Sequence, residues 1–137
     1  MSNSGLIDFQ SHTHDAHFKF QNGSKSTAAV TGPIKKSNGK LETQKEYEQR
    51  IYNDFVTSKN ILEEKLGKVV NVLCYPFGAF NATSEAMAKK AGYKSTISVK
   101  PGYVMKHDGP YILKRINVDG SFTAQDLINK INSELNK

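Results

Sequence analysis

Hydrophobic and polar positions divide this chain into short strands and helices that alternate. Leu6, Asp8 and Gln10 interleave with Ile7, Phe9 and Ser11, a period of two that predicts a strand over residues 6–12. Between Phe18 and Lys40 no apolar period survives among the Gly, Ser, Asn and Lys residues, and a long loop is expected at about 18–40. Thr43-Gln-Lys-Glu46 has the form of a capping box, and the stripe Tyr47, Ile51, Phe55, Leu62, Leu66 behind it predicts a helix closed by Gly67. Val69–Cys74 is apolar on both faces, as a covered central strand requires, and ends in the turn Tyr75-Pro76-Phe77-Gly78. A second helix is expected from Asn81 or Thr83 to a left-handed cap at Gly92, then strands at Ser95–Val99 and Tyr111–Val118. Thr123-Ala-Gln-Asp126 caps a last helix, with Ala124, Leu127, Ile128, Ile131 and Leu135 expected to face inward. This order predicts an α/β fold, either a largely parallel sheet or a section of a β/α barrel. Ligands in such folds sit at the C-terminal ends of strands, where both residues 12–17 and residues 75–78 fall.

Composition narrows the class. Of the 137 residues, 37% are hydrophobic and 23% charged, which fits one globular domain or a piece of one. No apolar run approaches the ~20 residues that span a bilayer. Met-Ser-Asn-Ser-Gly has neither the basic nor the apolar region of a secretory signal, and Cys74 alone cannot form an internal disulfide. A net charge of +6 favours anionic partners in general. The lysines are dispersed, however, with no reading helix or aromatic sheet motif, so nucleic acid is not the expected partner.

Two groups of residues carry chemistry. His12, His14 and His17 follow the first predicted strand. Imidazoles with carboxylates suit zinc and its neighbours, and His12 and His17 are spaced to converge on one ion while His14 points elsewhere. Asp15 is available to accept from a ring N–H. A short histidine tract also fits a solvated loop. His107, in a polar Lys-His-Asp-Gly stretch, reads as a surface turn residue. The second group is Tyr75-Pro76-Phe77-Gly78 with Asn81, where a strand-end turn can turn a backbone N–H toward a developing oxyanion. Alone, such a turn is also ordinary chain punctuation.

In sequence, the order is strand, His-Thr-x-x-x-His, loop, helix, strand, Tyr-Pro-Phe-Gly-x-x-Asn, helix, Ala-Gly-Tyr, strand. This resembles the polysaccharide deacetylase family, also called NodB-homology or carbohydrate esterase family four, and most of all its biofilm poly-N-acetylglucosamine branch. The resemblance runs from about Gly5 to Val118. It implies the C-terminal portion of a distorted β/α barrel, incomplete at its N-terminal side, with residues 1–137 forming a single partial domain. It also implies hydrolytic de-N-acetylation of an N-acetylated polysaccharide, at the cell surface or outside the cell, with a divalent metal, zinc above others. His12 and His17 match the two metal-binding histidines, Phe77 the position whose amide faces the oxyanion, and Tyr75, Pro76 and Asn81 the substrate side of the turn. Thr13 follows the family's His-Ser/Thr pattern, in a local structural role.

The departures carry equal weight. The family's Asp-Asp pair, supplying the general base and the third metal ligand, lies upstream of the histidines, and here only Asp8 precedes His12. Cys74 stands where many members have an arginine that orients the base, and Leu113-Lys-Arg-Ile116 lacks the general-acid histidine. General acid–base transfer is worth roughly 10²–10⁴-fold in rate, so little or no turnover is expected of this chain alone. A barrel lacking strands would expose sheet edges open to self-association. The alternative function is a non-catalytic glycan-binding module on the same fold.

Overall fold

A computed structural model describes residues 4–135; Met1–Asn3, part of the stretch read for a leader, lie outside the described residues. Seven elements follow in order: β1 (Lys19–Asn22), β2 (Lys25–Ala28), α1 (Gln44–Leu66), β3 (Val72–Cys74), α2 (Ala82–Lys90), β4 (Ser95–Ile97) and α3 (Ala124–Leu135). The chain is α/β, as its pattern predicts.

The capping box forms as expected. Thr43 Oγ1 accepts from the Glu46 N–H, and Glu46 returns a carboxylate oxygen to the Thr43 N–H. Gly67 closes α1 in the left-handed conformation, its N–H donating to the Glu63 carbonyl. Tyr47, Ile51 and Phe55 are buried along the predicted stripe, with Leu62 and Leu66 packed at its edge. Asn81 caps α2, exchanging hydrogen bonds with Ser84.

β3 and β4 pair in parallel, Val72 opposite Ser95 and Cys74 opposite Ile97, with α2 as the crossover. Single parallel bridges, Ser11 to Leu73 and Ile97 to Leu113, extend the pair into four rows. Leu73 and Val70 pack with Ile51, Phe55, Ala88 and the rings of Tyr47, Tyr75 and Tyr93 to form the core. The buried phenols are satisfied: Tyr47 Oη donates to the Val30 carbonyl at 2.8 Å and Tyr93 Oη to that of Phe55 at 3.0 Å. Arg50 ties the 29–42 segment to α1, pairing with Glu42 at 2.8 Å and donating to the carbonyls of Ala29 and Gly32.

Four expectations change. Residues 6–12 form a backbone bridge to the sheet at Ser11 alone, and Gln10 Oε1 accepts from the Asn71 and Val72 N–H groups just before it. Leu6 is 90% exposed. The expected loop at 18–40 contains an antiparallel hairpin, β1 on β2, turned by Gly23-Ser24 with Gly23 at φ 63°. Gly-Ser between two short runs is a hairpin signal, hidden here by polar residues on both faces. The predicted strand at 111–118 shrinks to the Leu113 bridge, broken by Ile112 at φ 60°. In α3, Leu127 and Ile131 are half-buried while Ala124, Ile128 and Leu135 face solvent, and the buried residue is Glu134. The Tyr103 hydroxyl donates to the Ile131 carbonyl, joining α3 to the segment that follows β4.

Candidate functional site

Ser11 brings the histidine segment to the sheet. Its N–H donates to the Val72 carbonyl at 3.1 Å, its carbonyl accepts from Cys74 N–H at 2.9 Å, and its hydroxyl meets that of Ser58 on α1 at 2.8 Å. His12 therefore leaves the C-terminal end of the sheet beside β3, and its Nδ1 lies 2.9 Å from the Cys74 carbonyl. A carbonyl only accepts, so Nδ1 carries a proton, and in the neutral ring Nε2 keeps the lone pair. That is the tautomer a metal ligand requires, with a backbone carbonyl in the orienting role considered for Asp15. Asp15 instead donates its N–H to Asp54 Oδ2 at 2.6 Å, and His14 donates its N–H to Asp54 Oδ1 at 3.0 Å. One carboxylate on α1 thus pins the loop between the two outer histidines.

The rings of His12 and His17 come together, their centroids 4.7 Å apart and nearly perpendicular. His17 in turn meets the Phe77 ring at 4.7 Å. Backbone conformation aims Phe77: it sits at φ 58°, ψ 9° within the short 3₁₀ turn Pro76–Gly78. Gly78 follows at φ 65°, where a Cβ would stand 2.3 Å from Val99 Cγ2. The Gly78 N–H bonds back to the Tyr75 carbonyl and that of Ala79 to Pro76. Among the described residues the Phe77 N–H has no acceptor. His12, His17 and Phe77 thus form one cluster, and His14 and His107 are both exposed outside it.

The other expected site residues lie deeper. The Tyr75 side chain is buried and donates to Glu85 Oε2 at 2.8 Å; burial first, then the Glu85 carboxylate, pushes its phenol well above the ordinary value. Thr96 donates to the same carboxylate and accepts from the Ile112 N–H. Pro76 is fully buried. Asn81 is spent locally: Oδ1 caps Ser84 N–H, and Nδ2 donates to the Thr31 carbonyl at 2.8 Å. The Thr13 hydroxyl is buried with no partner among the described residues, on a backbone at φ 73°. Burial raises the half-buried Cys74 thiol, and the Arg115 guanidinium nearby opposes that rise.

Among the described residues no group of three His, Cys, Asp or Glu side chains is placed to hold a metal ion. The two imidazoles fit part of a zinc donor set and lack an anionic third member. Asp54, Lys19 and Arg115 were not singled out in the sequence: Asp54 reaches the loop between the histidines from α1, Lys19 meets the Phe77 ring from the hairpin, and Arg115 lies beside Cys74.

Comparisons with known proteins bear on this geometry. A family model described as polysaccharide deacetylase matches residues 1–96. The poly-beta-1,6-N-acetyl-D-glucosamine N-deacetylase of Staphylococcus aureus is 30% identical over 116 residues, 85% of this chain and 34% of that protein. A de-N-acetylase structure from Aggregatibacter actinomycetemcomitans superposes with a TM-score of 0.78 at 26% identity, covering 95% of this chain and 50% of that one. The BpsB deacetylase domain from Bordetella bronchiseptica, at 22% identity and a TM-score of 0.76, covers 83% and 44% and attests the fold alone. The chain spans about a third of the length of the curated relative, whose share is 34%. With the family model matching well over half of its residues, the chain belongs to the polysaccharide deacetylase family.

Proposed function

We propose that this chain supplies the histidine pair and the oxyanion-facing amide of a metal-dependent de-N-acetylase acting on N-acetylglucosamine polymers, at the cell surface or outside the cell. The observation that carries the reading is the setting of His12: its Nδ1–H donates to the Cys74 carbonyl, which in the neutral ring leaves Nε2 as the lone-pair atom, and its ring centroid lies 4.7 Å from that of His17. His12 and His17 would hold the ion, zinc for choice. When bound, such an ion supplies Lewis acidity toward the acetamide carbonyl. The Phe77 N–H would donate to the oxyanion, where one donor is typically worth ~10²–10³-fold in rate. Tyr75, Pro76 and Asn81 act by shaping that turn from within rather than by touching the polymer. The four parallel rows belong, in this reading, to a single domain of distorted β/α-barrel type.

Two imidazoles alone make a weak site, and the proton acceptor and anionic ligand are assigned to carboxylates outside the described cluster. Zinc titration followed by imidazole NMR tests the proposal: His12 and His17 should respond together with one equivalent, ahead of His14 and His107. A response led by His14 or His107 removes the hydrolase reading. The purified chain with zinc should release little or no amine from an N-acetylglucosamine oligomer, and measurable turnover would refute the assignment of the base. The incomplete donor set among the described residues favours one second reading, a glycan-binding module without catalysis. Glycan affinity unchanged by a chelator would select it.

A further inference from the structure

One cation of the hairpin stands against the ring that closes the histidine cluster. Lys19 Nζ lies 4.7 Å from the centroid of the Phe77 ring, the same ring that meets His17. The base of the hairpin is anchored: Lys19 pairs with the buried Ala28, and the Ala29 N–H donates to the Phe18 carbonyl at 3.0 Å. Lys19 forms no ion pair among the described residues. The loop carboxylate Asp54 is occupied by the amides of His14 and Asp15. A second ammonium, Lys100, stands 5.6 Å over Phe80, three residues beyond Phe77. Positive charge therefore stands against the ring of Phe77 and against that of Phe80, and Phe77 itself remains 44% exposed.

A cation at that place sorts sugars by charge. An N-acetylglucosamine unit is neutral; the unit left when the acetyl group is gone carries an ammonium. Resting on the deacetylase reading above, we propose that Lys19 is a specificity-determining residue, admitting N-acetylated sugars beside the reacting acetamide and disfavouring de-N-acetylated ones. Lys19 is exposed, so two unit charges at a spacing of about 7 Å give roughly threefold in affinity, and less as salt rises. Glycan stretches that already bear amines would leave this site sooner than untouched ones.

The test uses the metal-free 137-residue chain at low salt, so that no bound dication adds to the repulsion. Backbone NMR titrations compare an N-acetylglucosamine pentamer with the fully de-N-acetylated pentamer. The wild-type chain should bind the acetylated pentamer several-fold more tightly, with shifts at His17, Lys19 and Phe77. Lys19→Gln should narrow the preference by about threefold, Lys19→Glu should abolish or reverse it, and Lys19→Arg should retain it. If Lys19→Glu binds the acetylated pentamer at Phe77 with the wild-type preference, the role of Lys19 is overturned and the deacetylase reading stands. Tighter wild-type binding of the cationic pentamer has the same effect. If neither pentamer perturbs the turn, the glycan reading falls and this inference falls with it.

Discussion

Gly78→Ala should be among the most damaging single-methyl changes in this chain. At φ 65° an alanine pays for a left-handed backbone, about 1–2 kcal/mol. Its Cβ would also stand 2.3 Å from Val99 Cγ2 and 2.8 Å from both Cβ and Cγ1, an overlap that displacing one flexible tip cannot relieve. Overpacking of this kind costs about 1–3 kcal/mol more, for a sum of roughly 2–5 kcal/mol. Gly67→Ala provides the control, since it has nearly the same φ, 63°, and open space around the new methyl, so only the backbone cost applies. A chain of 137 residues unfolds with an entropy of about 0.3 kcal/mol/K, so a 3 kcal/mol loss lowers Tm by roughly 10 °C. Urea unfolding of both variants and of Gly78→Ala/Val99→Ala measures the terms separately, the double variant recovering part of the loss through coupling. If Gly78→Ala loses no more than Gly67→Ala, the contact with Val99 is not what holds the Phe77 turn.

Three further outcomes follow from particular contacts. Asp54→Ala frees the amides of His14 and Asp15 and should weaken zinc binding roughly tenfold in calorimetry without removing a ligand, as loss of supporting contacts does at metal sites. The Glu46 carboxyl is drawn down to about 2 by hydrogen bonds from Lys36 and then from Thr43. Its folded value lies below the unfolded 4.5, so its contribution is present above 4.5 and lost as pH falls toward 2; Glu46→Gln should flatten the acid limb of the stability curve there. Burial raises the phenols of Tyr47, Tyr75 and Tyr93, so in a spectrophotometric alkaline titration these three should ionise above the ordinary tyrosine range. Their contribution is present below the ordinary value of 10.0 and declines above it.

Local rules that act within one turn were legible in the sequence. The Thr43–Glu46 box, the Gly67 cap and the Asn81 start of α2 each need only near neighbours, and each forms where the residue types place it. The pairing of His12 with His17 was also readable, because both sit on one short segment at a strand end. What stayed hidden depends on distant partners. Alternation over residues 6–12 is real, yet the strand shrinks to the Ser11 bridge, and the Gln10 side chain accepts from backbone donors about sixty residues away. The hairpin at 19–28 carries too little apolar contrast to announce its faces. Tyr75 and Pro76 sit in a motif that reads as a strand-end turn, and only the packing of α2 and β4 around them shows that they are interior. α3 has the stripe of an inward helix, but Ala124, Ile128 and Leu135 meet solvent.

The Gln10 carboxamide has a bearing on how this chain behaves in a crowded solution. A sheet margin is hazardous when a row of bare N–H groups can template a stranger's backbone. Here one side-chain oxygen occupies two consecutive donors, those of Asn71 and Val72, at 3.0 Å each. The carboxamide works as a stopper: it ends the ladder on its own terms and leaves an intruding segment less to grip just before β3. Replacing it with leucine would reopen both donors close in the fold to the exposed Leu6, Ile7 and Phe9, and concentrated samples of that variant would be the ones to turn cloudy first.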